Sequence, residues 1–245
     1  MKKLPRTHSL ASQIDVRFLQ QFKTLSRFSS SQLEKLATTL AVTNLDKNEV
    51  TFDQSDEANL VYLLLLGAVR TSYLTVDHNQ IVVSLIPQGE FFGLDALVPK
   101  TRHPFRCDAF EKSMVGAIRP KAFIEILLGV PFESFHRWYM SAMHSGRQMY
   151  IHCIRGLGLD VPKRVALELM NLADRFGIAD ARGLVIAVRV SHETLAGLVG
   201  ASRQHVTEQL NEFEREKILS RDGRDIIINV NQLSRILEVG EKIMP

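Results

Sequence analysis

Six polar residues near the C-terminal end, Ser202, Arg203, Gln204, His205, Thr207 and Glu208, have side chains suited to double-stranded DNA. An arginine can donate two parallel hydrogen bonds to guanine, a glutamine amide can pair with adenine, and a carboxylate can accept from the cytosine amino group. Serine, histidine and threonine suit phosphate, which positions without specifying. The spacing makes this a pattern. In a helix capped by Ser202, Val206, Leu210 and Phe213 fall inward, which leaves Arg203, Gln204, Thr207 and Glu208 facing out. A preceding helix is capped by Ser191 and carries Leu195, Ala196, Leu198 and Val199, with Gly200 free to make the sharp turn between the two. Ala196 is small where the helices would cross. These features in this order predict a helix-turn-helix. Residues 218–221 and 225–230 alternate around Asp222-Gly223-Arg224 and predict a hairpin, a wing, beside it.

The elements that must position this pair fit a chain of 245 residues organised as two modest domains. Hydrophobic content of 45% and charged content of 23% exclude disordered, collagenous and rod-like classes. The longest apolar run, 60–69, is half of the roughly 20 residues that a spanning helix needs. Pro5, Arg6, His8 and Asp15 interrupt any signal-peptide core, so the expected location is the cytoplasm. Two cysteines, Cys107 and Cys153, cannot build a disulfide framework, a structural zinc site or a cysteine-only iron-sulfur cluster. His136, His144 and His152 recur every eight residues and drift around a helix, so no metal site is expected from them. No phosphate loop, nucleophile elbow or zinc-protease motif occurs, and an enzyme is not expected. The net charge of +3 divides into +5 for residues 1–30, −1 for 31–155 and −1 for 156–245. DNA binding therefore has to rest on particular residues, because the composition shows no basic footprint.

The expected organisation is α+β. A basic arm (1–15) precedes a domain of short strands with flanking helices (16–128), a long helix (129–156) and the helix-turn-helix domain (157–245). Helices are predicted over 16–25, 31–40, 120–128 and 131–155, and strands over 50–52, 60–66, 68–75, 80–86 and 114–118, an antiparallel roll of jelly-roll type. Along the long helix Phe132, Phe135, Tyr139, Ala142, Gly146, Met149 and Cys153 alternate by three and four, a heptad seam that suits a second copy of the chain. The same stripe would also suit packing on the roll.

The chain resembles the cyclic AMP receptor protein and FNR (CRP/FNR) superfamily of bacterial transcription regulators over roughly residues 15–240. The resemblance rests on Val61-Tyr62-Leu63-Leu64-Leu65-Leu66-Gly67, Gln88-Gly89-Glu90-Phe91-Phe92-Gly93, the long helix, and Leu195-Ala196-Gly197-Leu198-Val199-Gly200-Ala201-Ser202-Arg203. It implies a sensory roll like a cyclic-nucleotide-binding domain, a helix that makes a homodimer, and a winged helix-turn-helix on a palindromic promoter site, with RNA polymerase as a further partner. Members that bind cyclic AMP have a glutamate where this chain has Leu94 and an Arg-Ser pair before the last roll strands, in a segment that here reads Thr101-Arg102-His103-Pro104-Phe105-Arg106-Cys107-Asp108-Ala109, so cyclic AMP is not expected to bind in the usual way. The cysteines of the oxygen-sensing branch are missing, and so no iron-sulfur cluster is expected.

Around the family's phosphate position, Arg102 and Arg106 lie four apart, and Arg6 in the basic arm adds a third guanidinium. An arginine fork suits phosphate or a guanine edge, and Asp15, Asp95 or Asp108 can accept from a guanine amino group. The candidate effector is a nucleotide second messenger, cyclic di-GMP, with Arg6, Asp95, Arg102 and Arg106 as its candidate residues. Two alternatives stay open: solvated charges on a roll that binds nothing, and haem held by His78, His103 or Cys107. A different class of function is a ligand-binding interaction protein whose helix-turn-helix meets protein rather than DNA.

Overall fold

The computed structural model describes residues 14–26, 28–76, 80–140, 142–143, 158–223 and 225–241. The chain divides into two compact units, one of residues 1–79 and 83–148, the other of 149–245 with 80–82. The expected arm (1–15) lies almost wholly outside the described residues, as does the second half of the predicted long helix, with Gly146, Met149 and Cys153. Among the described residues no helix is long and apolar enough to cross a membrane.

The first unit opens with α1 (Val16–Gln20), where the Asp15 carboxylate accepts from the Arg17 backbone N–H at 2.8 Å. In α2 (Ser30–Thr39), Ser29 and Gln32 form a reciprocal cap. Eight strands follow: β1 (Ala41–Leu45), β2 (Val50–Phe52), β3 (Val61–Leu66), β4 (Ala68–Leu74), β5 (Gln80–Pro87), β6 (Phe91–Phe92), β7 (Arg106–Ala109) and β8 (Ser113–Ile118). They form two four-stranded sheets, in the orders β1-β8-β3-β6 and β2-β7-β4-β5. Helix α3 (Pro120–Leu128) and helix α4, helical over 132–140 and at 142–143, complete the unit.

Strand β3 shows why its sequence is nearly all apolar. Alternate side chains of a strand face opposite ways. Val61, Leu63 and Leu65 enter a core with Leu19, Leu33 and Leu36 of the helices and with Phe123 and Trp138. Tyr62 and Leu64 enter a second core inside the roll, with Phe52, Phe92 and Cys107. Each such burial is worth about 1.5–3 kcal/mol. At the end of β3, Gly67 turns the chain into β4 with φ +84°, and a side chain there would lie 2.5 Å from the Ser113 hydroxyl.

Among the described residues of this unit, three strands are ones that the apolar pattern did not predict. Strands β1 and β6 are short, and β7 contains Asp108, which is 1% exposed and ion-paired to Arg70 at 2.6 Å. A buried pair hides a charge that reads as surface. Helix α1 stops at Gln20, short of the expected end at residue 25, and the chain continues through turns. In α4, Trp138 is buried with its ring edge-on to Phe123 at 5.6 Å, and Phe135 packs on the same core. That orientation leaves Phe132, Tyr139, Met140 and Met143 exposed at 76%, 46%, 51% and 53%. Ala142, one turn beyond Trp138, is half-buried.

The second unit begins with α5 (Val161–Phe176), capped by Asp160, with Pro162 in its first turn. Then come β9 (Gly177–Asp180), β10 (Gly183–Ile186), α6 (His192–Val199), α7 (Arg203–Arg215), β11 (Leu219–Asp222), β12 (Asp225–Ile228) and α8 (Val230–Glu241). The strands form one antiparallel sheet, β11-β12-β10-β9. Strand β9 follows α5 without an intervening loop and carries no apolar alternation, and neither β9 nor β10 was expected.

The buried face of α5 combines Val165, Ala166, Leu169, Leu172 and Ala173 with one carboxyl, Glu168. Burial pushes the Glu168 carboxyl from 4.5 up to about 7, against the Asn171 hydrogen bond and the charge of Arg175, which both act downward. The folded state thus holds a proton over a range where the unfolded chain has lost it, so this group's stability contribution falls as pH rises from about 4.5 to about 7. Glu168→Gln should remove that slope and leave the protein more stable than the parent above about pH 7, by an amount on the order of 3 kcal/mol. Denaturant unfolding across this range checks it, and parallel profiles for parent and variant would contradict the buried carboxyl.

Candidate nucleic-acid interface

The helix-turn-helix is set by its caps. The Ser191 hydroxyl accepts from the Thr194 backbone N–H at 3.1 Å and starts α6. Gly200 ends it in the left-handed region, φ 63° and ψ 44°, where a β-carbon is disfavoured. The Arg164 guanidinium of α5 donates to the Gly200 carbonyl at 3.1 Å and ties the turn to the first helix of the unit. The Ser202 hydroxyl then accepts from the His205 backbone N–H at 3.2 Å and starts α7.

Behind the turn, Leu195, Ala196, Leu198 and Val199 of α6 are buried, as are Val206, Leu210 and Phe213 of α7. This apolar wedge fixes α7 and leaves Ser202, Arg203, Gln204, His205 and Glu208 exposed together on its first two turns. The Gln204 amide donates to the Glu208 carboxylate at 2.9 Å. Thr207 is half-buried; its hydroxyl donates to the Arg203 carbonyl at 2.8 Å and lies 2.8 Å from His192 Nδ1. All six expected residues therefore lie on one short stretch of helix.

Sequence reasoning did not single out the residues that frame this stretch. His192, the first residue of α6, reaches across to Thr207. Arg221 of the wing strand donates to Asn211 of α7 at 2.8 Å and lies 3.5 Å from Glu214. Arg182, in the β9–β10 turn, bonds Asp180 at 2.8 Å and Asp222 at 2.7 Å. These pairs span up to 40 positions of sequence, so no local spacing announces them.

The residues expected at an effector site meet in two places. The Arg102 guanidinium donates to the Ser55 carbonyl at 2.6 Å and that of Arg106 to Asp53 at 3.3 Å, so both reach one loop. Asp95 lies 3.4 Å from Nδ1 of His103, which is buried and stacked on Phe52 at 3.7 Å. Phe52, Tyr62 and Phe92 continue that aromatic packing inside the roll. Arg6 and His78 lie outside the described residues. Asp108 is held by Arg70 and Asp15 by Arg17. Burial pushes the Cys107 thiol well up, which keeps it protonated inside the roll.

Comparison with known proteins places both halves. The Crp-like helix-turn-helix domain matches residues 163–236 and the cyclic nucleotide-binding domain residues 42–129. A global nitrogen regulator of Nostoc sp. is 25% identical over 204 residues, covering 77% of this chain and 85% of that protein. The structure of FixK2 from Bradyrhizobium japonicum superposes with a TM-score of 0.69 at 21% identity, over 80% of this chain and 96% of that one. CLP of Xanthomonas campestris, described as a c-di-GMP responsive global regulator, superposes with a TM-score of 0.65 at 17% identity, over 82% of this chain and 99% of that one. With a cyclic-nucleotide-binding roll followed by a Crp-like helix-turn-helix, this chain belongs to the CRP/FNR superfamily of bacterial transcription regulators.

Proposed function

We propose that the protein is a homodimeric, cytoplasmic regulator that sets α7 into the major groove of a palindromic promoter site and works alongside RNA polymerase. The observation that carries this reading is the cluster of exposed polar residues on α7, held by a buried wedge and two serine caps. In this reading Arg203 pairs with guanine, Gln204 with adenine and Glu208 with the cytosine amino group, while Ser202, His205 and Thr207 lie near phosphate. A two-fold dimer presents its recognition helices about one DNA turn apart, so the half-sites lie roughly 10 base pairs between centres. Arg203→Ala should cost about 1–3 kcal/mol on the selected palindrome and little on random DNA. Gel shifts at several salt concentrations check this, and equal losses on both DNAs would make Arg203 a phosphate contact.

The dimer reading rests on α4. Its roll-facing side is occupied by Trp138 and Phe135, and a second copy would cover Phe132, Tyr139, Met140 and Met143, which are otherwise exposed. The expected seam through Phe132, Phe135, Tyr139 and Ala142 thus shares Phe132 and Tyr139 with this face. Tyr139→Glu places like charges against each other across a two-fold axis and should yield monomers by light scattering; a variant that stays dimeric would move the interface elsewhere.

For the roll we propose a nucleotide second messenger as effector, cyclic di-GMP ahead of cyclic AMP. Arg102 and Arg106 reach one loop and can turn to a shared phosphate, for which Arg106 would exchange Asp53. Leu94 offers no carboxylate to a ribose hydroxyl, and the structurally similar CLP is described as c-di-GMP responsive. At about 100 times its dissociation constant cyclic di-GMP should add about 2.7 kcal/mol to stability, an effect that Arg106→Ala weakens, while cyclic AMP adds little. Tight cyclic AMP binding by calorimetry would overturn this ordering.

A further inference from the structure

The second unit raises a physical question. A domain without excess positive charge must still hold DNA phosphates, and its cationic groups are partly engaged with acids: Arg182 with Asp180 and Asp222, Arg215 with Glu212, and Arg221 with Glu214. One further group at the edge of α7 can become cationic at the moment of binding.

His192 sits at the start of α6 with Nδ1 2.8 Å from the Thr207 hydroxyl. That hydroxyl gives its only hydrogen to the Arg203 carbonyl at 2.8 Å, so what it presents to the ring is a lone pair. Nδ1 must therefore be the donor, and the neutral ring keeps its lone pair on Nε2. The tautomer is fixed by Thr207 before any ligand arrives.

We propose that His192 is a DNA-backbone contact that takes up a proton from solvent when phosphate arrives, at Nε2, and so turns from a neutral ring into a charge-assisted donor. The inference rests on the helix-turn-helix reading and adds to it a residue and a proton. The step balances as a proton transfer: an N–H bond forms at the Nε2 lone pair, an O–H bond of hydronium or of a buffer acid breaks, and the phosphate oxygen accepts a hydrogen bond from the new N–H. In the protein without DNA, burial together with the charges of Arg221 and Arg203 holds the imidazole below the usual histidine range. The groups acting on it thus come from β11 and α7. On its own helix the neighbouring Glu193 is exposed, and from α5 Arg164 meets α6 at its far end, at Gly200. A phosphate among His192, Arg203 and Arg221 offsets the two arginine charges, and the ring's proton affinity rises. Binding and protonation then favour each other.

The test measures affinity by fluorescence anisotropy from about pH 8 to about pH 6 at fixed salt, on a random-sequence duplex and on the palindrome selected by the wild-type protein. Wild-type protein should bind both DNAs about tenfold tighter at the acid end. His192→Asn keeps an amide donor for Thr207 and takes no proton; whatever its affinity near pH 8, that affinity should stay flat down to about pH 6. Calorimetry in two buffers of different ionisation heat should find net proton uptake for wild type, averaging about half a proton per bound dimer over this range, and none for the variant. His205→Asn, which alters the other histidine of this surface, should keep the gain. A pH gain that survives in His192→Asn, or that disappears in His205→Asn alone, assigns the proton elsewhere and overturns the proposal, as does a flat wild-type profile. If wild-type protein binds neither DNA at any pH, the helix-turn-helix reading itself fails and takes this proposal with it.

Discussion

The burial of β3 on both faces organises the first unit. A strand with one wet face can sit at the edge of many folds, but one with Val61, Leu63 and Leu65 turned to the helices and Tyr62 and Leu64 turned into the roll must be covered twice. Helices α1 to α4 supply one cover and the opposing sheet the other. The interior of the roll stacks Phe52, Tyr62, Phe92 and the His103 ring beside the aliphatic chains of Leu45, Leu64, Val69 and Val115. Trp138 extends the same outer core to α4 and so decides which of that helix's apolar residues are left at the surface.

The helix-turn-helix was legible in sequence because each of its requirements is local. A cap serine, a turn glycine and inward residues at three- and four-residue spacing fall within about two dozen positions, and helical periodicity carries them. The wing was legible for the same reason. The roll was legible as a class, with β3, β4 and β5 near their expected bounds, while β1, β6, β7, β9 and β10 were missed. Those strands are short or polar, and what stabilises them is a partner far away in sequence: Arg70 for Asp108, or β12 for β10. On α4, spacing alone could not decide that Trp138 would face the core and draw Phe135 toward it.

The polar groups divide by what they cost. Asp108 with Arg70, and the His103 ring on Phe52, are buried and satisfied, and they constrain the roll to one arrangement of strands. Glu168 is buried against an apolar helix face and couples the stability of the DNA-binding unit to proton concentration. The residues on α7, by contrast, keep their polar atoms toward water. Sequence shows which residues are polar; only the packing shows which have been withdrawn from solvent.

Arg182 holds the β9–β10 turn to Asp222 at the end of the wing strand, with 55% of its side chain and 68% of that of Asp222 exposed. Ions in solution screen such a bridge over about 10 Å at 0.1 M salt. The clasp therefore loosens over the same range of ionic strength in which DNA phosphates lose their hold on protein cations.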